Sequence, residues 1–195
     1  MVREAQIERA TNETNVQVKL NLDGKGNFYG STGIGFFDHM LHLLARHALI
    51  DLTVEARGDL HVDAHHTVED TGICLGMALQ EALGDKQGIT RYGSAIIPMD
   101  EALALATVDL SGRPYLGYEV NVPGPSAGGM SVELVPEFFR ALVNNAGITL
   151  HLRLLCGDNT HHIIEVLFKG FARALREAVA LNKRESGVPS TKGKL

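Results

Sequence analysis

Two five-residue segments of this chain carry one pattern. They are His65-His66-Thr67-Val68-Glu69 and His161-His162-Ile163-Ile164-Glu165, 96 residues apart in a chain of 195. Each reads HHxxE. On a helix, positions i and i+4 stack on one face, and position i+1 swings about 100° away. Each segment therefore presents a His/Glu pair in one direction and a second His in another. Neutral imidazole and carboxylate are common ligands for divalent transition metals. One HHxxE can feed two metals, and two copies predict a two-metal site related by internal pseudo-symmetry.

The repetition extends beyond the histidines. The same offset aligns Leu75–Ala82 with Phe171–Ala178, both amphipathic, both ending in Ala-Leu-x-Glu-Ala. Upstream, Asn12-Glu13 aligns with Asp100-Glu101, and Leu22-Asp23-Gly24 with Leu110-Ser111-Gly112. With His39 set opposite Glu137, Leu44/Leu142, Ala48/Ala146, Ile50/Ile148 and Leu52/Leu150 fall into register. Two copies are too few for a solenoid. They predict a duplicated unit, residues 1–90 and 91–185, packed as one compact domain, with residues 186–195 as a short, basic, flexible tail.

The pattern along the chain predicts an α+β fold. Residues 5–22, with alternation at Val16, Val18, Leu20 and Leu22, carry a strand signature. Asp23-Gly24 reads as a hairpin turn, with Phe28 to Gly35 returning. Phe37, Met40, Leu41, Leu44 and Ala48 share one helical face. Ile50 to Ala56 alternates again, and a long helix covers Asp63 to Leu83. The second half repeats this order: strands at Ala102–Leu110 and Tyr115–Val120, a glycine-rich loop at 123–129, a helix at Val135–Asn144, a strand at Thr149–Leu155 and a helix from His161 to Asn182. Pattern alone does not give the sheet order.

Charge and composition exclude several classes. A net charge of −5 leaves no basic footprint for nucleic acid. No run of 18 apolar residues exists, so no membrane span is expected. The start, Met1 to Gln6, lacks the apolar stretch of a signal peptide. Cys74 and Cys156 occupy unmatched positions and read as buried free thiols of a reducing cytoplasm.

Candidate metal ligands are thus His39, His65, His66 and Glu69 in the first half, and Glu137, His161, His162 and Glu165 in the second. No cysteine joins them, which argues against structural zinc and for Mn, Fe, Co, Ni or catalytic zinc. Of the remaining histidines, His47 lies two turns beyond His39 and can line the same cleft. From these residues alone, a dinuclear metallohydrolase and a non-catalytic metal-storage assembly both stand. Two turn arginines and the basic tail favour a phosphorylated ligand.

Longer motifs carry a resemblance. They are Gly33–His42 (GIGFFDHMLH), Asp63–Asp70 (DAHHTVED), Ser111–Leu116 (SGRPYL), Asn145–His151 (NAGITLH) and Asp158–Glu165 (DNTHHIIE). With Arg9–Thr14 and Pro189–Gly193 at the ends, the chain resembles the imidazoleglycerol-phosphate dehydratases of histidine biosynthesis. The resemblance implies a duplicated ribosomal-protein-S5-domain-2-like fold. It implies loss of water from imidazole glycerol phosphate to give imidazole acetol phosphate, with two Mn²⁺ per active site. It also implies a cytoplasmic shell of 24 subunits, with sites at subunit contacts. Carried over by position, one manganese takes His39, His66, His161 and Glu165, and the other takes His65, Glu69, Glu137 and His162. At Glu137 some members carry His, and glutamate is an equally good manganese ligand. Phosphate recognition maps to Arg91 and Arg113, with Ser190, Lys192 and Lys169. Glu13 and His47 map to substrate contacts.

The hydrogen lost in this dehydration lies on a carbon bearing a hydroxyl, so its acidity is low. A path that avoids direct removal starts from the ring. The imidazole, deprotonated with Lewis-acid help and bridging the metals as imidazolate, expels the adjacent hydroxyl. The diazafulvene-like intermediate makes the next C–H acidic, and a carboxylate takes that proton. Glu13 is placed first for such a role. Glu165 can assist, and Glu101 is a further candidate as the repeat partner of Glu13.

Overall fold

The computed structural model describes residues 3–195. Residues 1 and 2, where the first half was read to begin, lie outside them. The first half holds β1 (Glu4–Ala10), β2 (Thr14–Asn21), β3 (Phe28–Ser31), α1 (Gly35–Ala48), β4 (Asp51–Gly58) and α2 (His65–Leu83). The second holds β5 (Tyr92–Met99), β6 (Ala102–Asp109), β7 (Tyr115–Glu119), α3 (Leu134–Ala146), β10 (Thr149–Cys156) and α4 (Thr160–Val179). A small ribbon, β8 (Ser126–Ala127) and β9 (Met130–Ser131), lies between β7 and α3.

The two sheets share one topology, β1-β2-β4-β3 and β5-β6-β10-β7. Apart from the β8–β9 ribbon the second half repeats the first, and the fold is a duplicated α+β unit. Packing then crosses the halves: α2 lies on α3, and α1 on α4. Helix α2 also covers β1 and β2, while α4 covers β5 and β6. The helices thus form the middle of the molecule, with the sheets outside them. Phe37, Phe138, Phe139, Phe168 and Phe171 of α1, α3 and α4 are all fully buried there. Phe138 stacks on Phe168 at 5.4 Å and meets Phe37 edge-on at 5.2 Å. Such ring pairs add to the burial of large apolar areas.

The Asp23-Gly24 hairpin expected from sequence does not form. Strand β4 lies between β2 and β3, and β3 pairs with β4 in parallel. The true hairpin joins β1 and β2 around Thr11–Glu13, where the Thr11 N–H donates to the Thr14 carbonyl at 2.8 Å. Strand β5 was not read at all. It is an edge strand, which tolerates Pro98. Its Gly93 lies so close under the Ala174 carbonyl of α4 that no side chain fits. Small inward residues gave it too little apolar alternation to see. Cys74 is buried as expected, whereas Cys156 is exposed at the end of β10.

Helices α1 and α3 end alike, at matched positions in left-handed backbone: Leu49 at φ +56° and Gly147 at φ +62°. Glycine suits that conformation because it has no Cβ to clash. Space around Gly147 is open enough for a methyl group, so only backbone strain opposes substitution. Gly147→Ala is expected to lower stability by about 1 kcal/mol, measured by urea unfolding.

Candidate metal centre and anion site

Both HHxxE segments open a helix. Asn159 caps α4, its side-chain oxygen accepting from the backbone N–H groups of His161 at 2.9 Å and His162 at 3.2 Å. At α2 the N-cap residue is Ala64, which offers no side-chain cap, and Asp63 just before it accepts from the His65 N–H at 2.8 Å. Capping fixes where the first turn begins, and so where each imidazole points. The buried Asp70, one turn further along α2, accepts from Arg9 at 2.5 Å and from the Thr14 hydroxyl. That ties the β1–β2 turn, with Glu13 on it, to the helix bearing His65 and His66. Asp38 accepts from Ser31 at 2.8 Å and from Thr32, which sets the first turn of α1 and the position of His39.

Three candidate ligands converge. His161 Nε2 lies 3.1 Å and His39 Nε2 3.4 Å from the same oxygen of Glu165. The three ligand atoms fall within 4.8 Å of one another. Lys169 approaches the other Glu165 oxygen at 2.5 Å. Glu165 is only 6% exposed. Burial by itself would raise its carboxyl, but Lys169, with His161 and His39, outweighs burial and holds it below the usual value. Two imidazole nitrogens and one buried carboxylate oxygen so close together fit a divalent transition cation. His47 stands near this group. Burial, Lys169, Arg173 and Arg46 all push its imidazole below the ordinary value, and Glu165 only partly opposes them.

The other five candidates do not join that cluster within one chain. His65 and Glu69 form a looser, half-exposed pair at 3.9 Å. His66 Nδ1 lies 3.0 Å from Asp59 and 3.8 Å from Glu13. His162 Nδ1 lies 2.7 Å from Glu101. Glu137 pairs with Arg140 on its own helix at 2.5 Å. Asp59 raises the His66 imidazole, and Glu101 raises that of His162. In return His162, with the Asn159 N–H, holds the Glu101 carboxyl down at about 2.

Two of the candidate phosphate residues, Arg91 and Arg113, meet on one carboxylate, whereas Lys169 sits on Glu165. Arg91 grips Asp109 through two nitrogens, at 2.8 and 3.3 Å, and Arg113 lies 3.7 Å from the same side chain. Arg91 also donates to the Pro189 carbonyl at 2.8 Å, which brings the tail with Ser190 and Lys192 alongside. Ser190 Oγ accepts from the Lys192 backbone N–H at 3.2 Å. Arg113 remains largely exposed.

The Imidazoleglycerol-phosphate dehydratase family model matches residues 32–175. The chain belongs to that family. A relative of that name from Moorella thermoacetica is 60% identical over 193 residues, covering 99% of this chain and 98% of its own. One from Roseobacter denitrificans is 58% identical over the whole of both chains. The crystal structure of the Staphylococcus aureus dehydratase superposes with a TM-score of 0.84 at 42% identity, covering 92% of this chain and 99% of that one. The Pyrococcus furiosus enzyme, crystallised with (S)-C348, gives 0.83 at 40%, covering 97% and 100%. As a member of the dehydratase family, the chain is a hydro-lyase (EC 4.2.1.19) of histidine biosynthesis acting on a small molecule. The family is metal-dependent. Among the described residues, no helix is long and apolar enough to cross a membrane.

Several residues that shape these sites gave little signal in the sequence. Asp59 follows the last residue of β4, and Asp109 lies four residues before Arg113 at the end of β6. Neither is marked by spacing, because each meets its partner across elements. Asp70 and Arg9 belonged to quoted motifs, but their pairing shows only in three dimensions.

Proposed function

We propose that the chain dehydrates D-erythro-imidazole glycerol phosphate to imidazole acetol phosphate with two Mn²⁺ per site, held by the eight candidate ligands. The observation that carries this reading is the convergence of His39, His161 and Glu165, with Lys169 occupying the carboxylate's far oxygen. Bound cations would supply Lewis acidity, making the substrate's ring more easily deprotonated. Both oxygens of Glu165 are engaged, so its part is to hold. Glu13 stands on an exposed turn, 3.8 Å from the His66 ring, and is free to move a proton. It takes the C–H proton after the hydroxyl leaves. Arg91 and Arg113, steered by Asp109, bind the phosphate, with Ser190 and Lys192 closing from the tail and Lys169 and His47 on the ring side. The test is to add Mn²⁺ to metal-free protein with this substrate, then assay ketone and inorganic phosphate. Ketone without phosphate release supports dehydration. Phosphate release would favour a metallohydrolase.

Sites completed between copies of the chain account for the ligands left apart in one subunit. Beside His65 an open cleft of about 480 Å³ is lined by Gly33, Ile34, Leu60, Gly128 and Leu134. Leu60 in its wall is exposed, as is Val62 two residues further along the chain. Apolar groups next to a half-built site suit a neighbouring subunit, and a 24-subunit cytoplasmic shell is the assembly this reading carries.

Arg113→Ala removes a charge-assisted contact to phosphate. Substrate binding is expected to weaken by about 2 to 3 kcal/mol, with metal content unchanged. Isothermal titration with substrate checks this. Normal affinity would reduce Arg113 to a turn residue.

A further inference from the structure

We infer that Glu101 and Asp59 are positioning residues. Each is a carboxylate held behind the second histidine of an HHxxE, and each turns that ring so that Nε2 faces a divalent cation. The inference rests on His162 and His66 being ligands, as proposed above.

The contacts are short and anchored. Glu101 Oε2 lies 2.7 Å from His162 Nδ1, while its Oε1 accepts from the Asn159 backbone N–H at 2.9 Å. One carboxylate thus spans the helix cap and the ring. In the other half, the two Asp59 oxygens lie 3.0 and 3.2 Å from His66 Nδ1. A neutral imidazole has a single N–H. A carboxylate at Nδ1 draws that proton there and leaves the Nε2 lone pair for a metal. It also restricts ring rotation and raises the basicity of the ligating nitrogen. On the far side of His162, Asp100 stays 4.0 Å from Nε2, too distant to bond it.

Duplication strengthens the inference. The same ring atom, at the same place in each HHxxE, meets a carboxylate, although the carboxylates come from different segments. Glu101 sits in the β5–β6 turn and Asp59 in the β4–α2 loop. Among the described residues, the first histidines His65 and His161 have no carboxylate at Nδ1; both turn Nε2 toward their own Glu. The halves have also diverged. Glu13 occupies the turn equivalent to that of Glu101, but Asp59 has taken the short position on the ring. Glu13 is left at 3.8 Å. One turn carboxylate holds a ligand, and its repeat partner is free for proton transfer.

The test uses the purified full-length chain with Mn²⁺ alone as probe. Glu101→Gln and Asp59→Asn are each expected to weaken Mn²⁺ binding about 10- to 100-fold by calorimetry, and excess Mn²⁺ should recover most of kcat. His162→Ala should lose the ion and not be rescued. Wild-type affinity in both carboxylate variants, with His162→Ala still losing metal, overturns the positioning role and leaves the ligand assignment standing. Full metal content in His162→Ala overturns the ligand assignment and the inference with it. If a variant fails to fold, ¹⁵N NMR of the metal-free wild type decides. The Nδ1–H tautomer at His162 and His66 is expected, and Nε2–H at both overturns the proposal.

Discussion

Glu165→Gln is expected to cut turnover by at least about a thousandfold, about 4 kcal/mol of barrier. Glu165 is the one residue through which His39, His161 and Lys169 meet. The amide keeps the shape but loses the charge. It presents a neutral oxygen to the imidazoles and leaves Lys169 without its anion. Metal affinity and alignment fall together, so excess Mn²⁺ should restore little, unlike in Glu101→Gln. Chelation of the wild type should abolish activity, and Mn²⁺ should restore it. Full turnover in rigorously metal-free protein would overturn the metal reading. The pH response has a fixed sign. Metal binds the neutral imidazole, so protons compete with it. Carboxylates hold His66 and His162 above the ordinary value of about 6.5. Their sites should therefore be fully available above those raised values. Apparent metal affinity should begin to fall at a pH above about 6.5 and fall further as the pH drops. Metal content measured across pH checks this.

Metal removal is expected to break the assembly into smaller particles, and Mn²⁺ to rebuild it. His66, His162 and Glu137 each face other partners within one chain, away from the His39–His161–Glu165 cluster. Neighbouring chains can supply what one chain does not bring together. An ion bound only in the assembled form stabilises that form by mass action, by about 4 kcal/mol per site at a thousandfold excess over Kd. His66→Ala should impair assembly even though His65 remains, because adjacent histidines on a helix diverge by about 100°. Analytical ultracentrifugation on metal-free, Mn-loaded and His66→Ala protein measures it. One unchanged mass across all three would uncouple metal from assembly, and the dehydratase assignment would survive.

Much of this was legible in the residues because the signals are local. The HHxxE spacing places His161 and Glu165 on one face whatever the rest of the chain does. The apolar stripe of Phe37, Met40, Leu41 and Leu44 is equally a property of one helix, and the matched pairs from Leu44/Leu142 to Leu52/Leu150 are all buried. The failures were of a different kind. Asp23-Gly24 is a valid turn signal, but it cannot show that β4 will insert between β2 and β3. Strand β5 hid because Gly93 and Ala95 face inward, chosen for the close approach of α4 and not for apolar bulk.

Sequence alone determined the helices, the duplication, the HHxxE spacing and the family, since each depends on spacing within one segment or on motifs read in order. Spacing alone left open which ligands meet: the resemblance implied a grouping, and in one chain the tertiary structure brings together three of its members. His39 and Glu165 are 126 positions apart, and only the packing of α1 on α4 unites them. The same holds for Glu101 on His162 and for Arg91 and Arg113 on Asp109. Side-chain hydrogen bonds act over about 3 Å, and chain distance does not constrain them until the sheets and helices have packed.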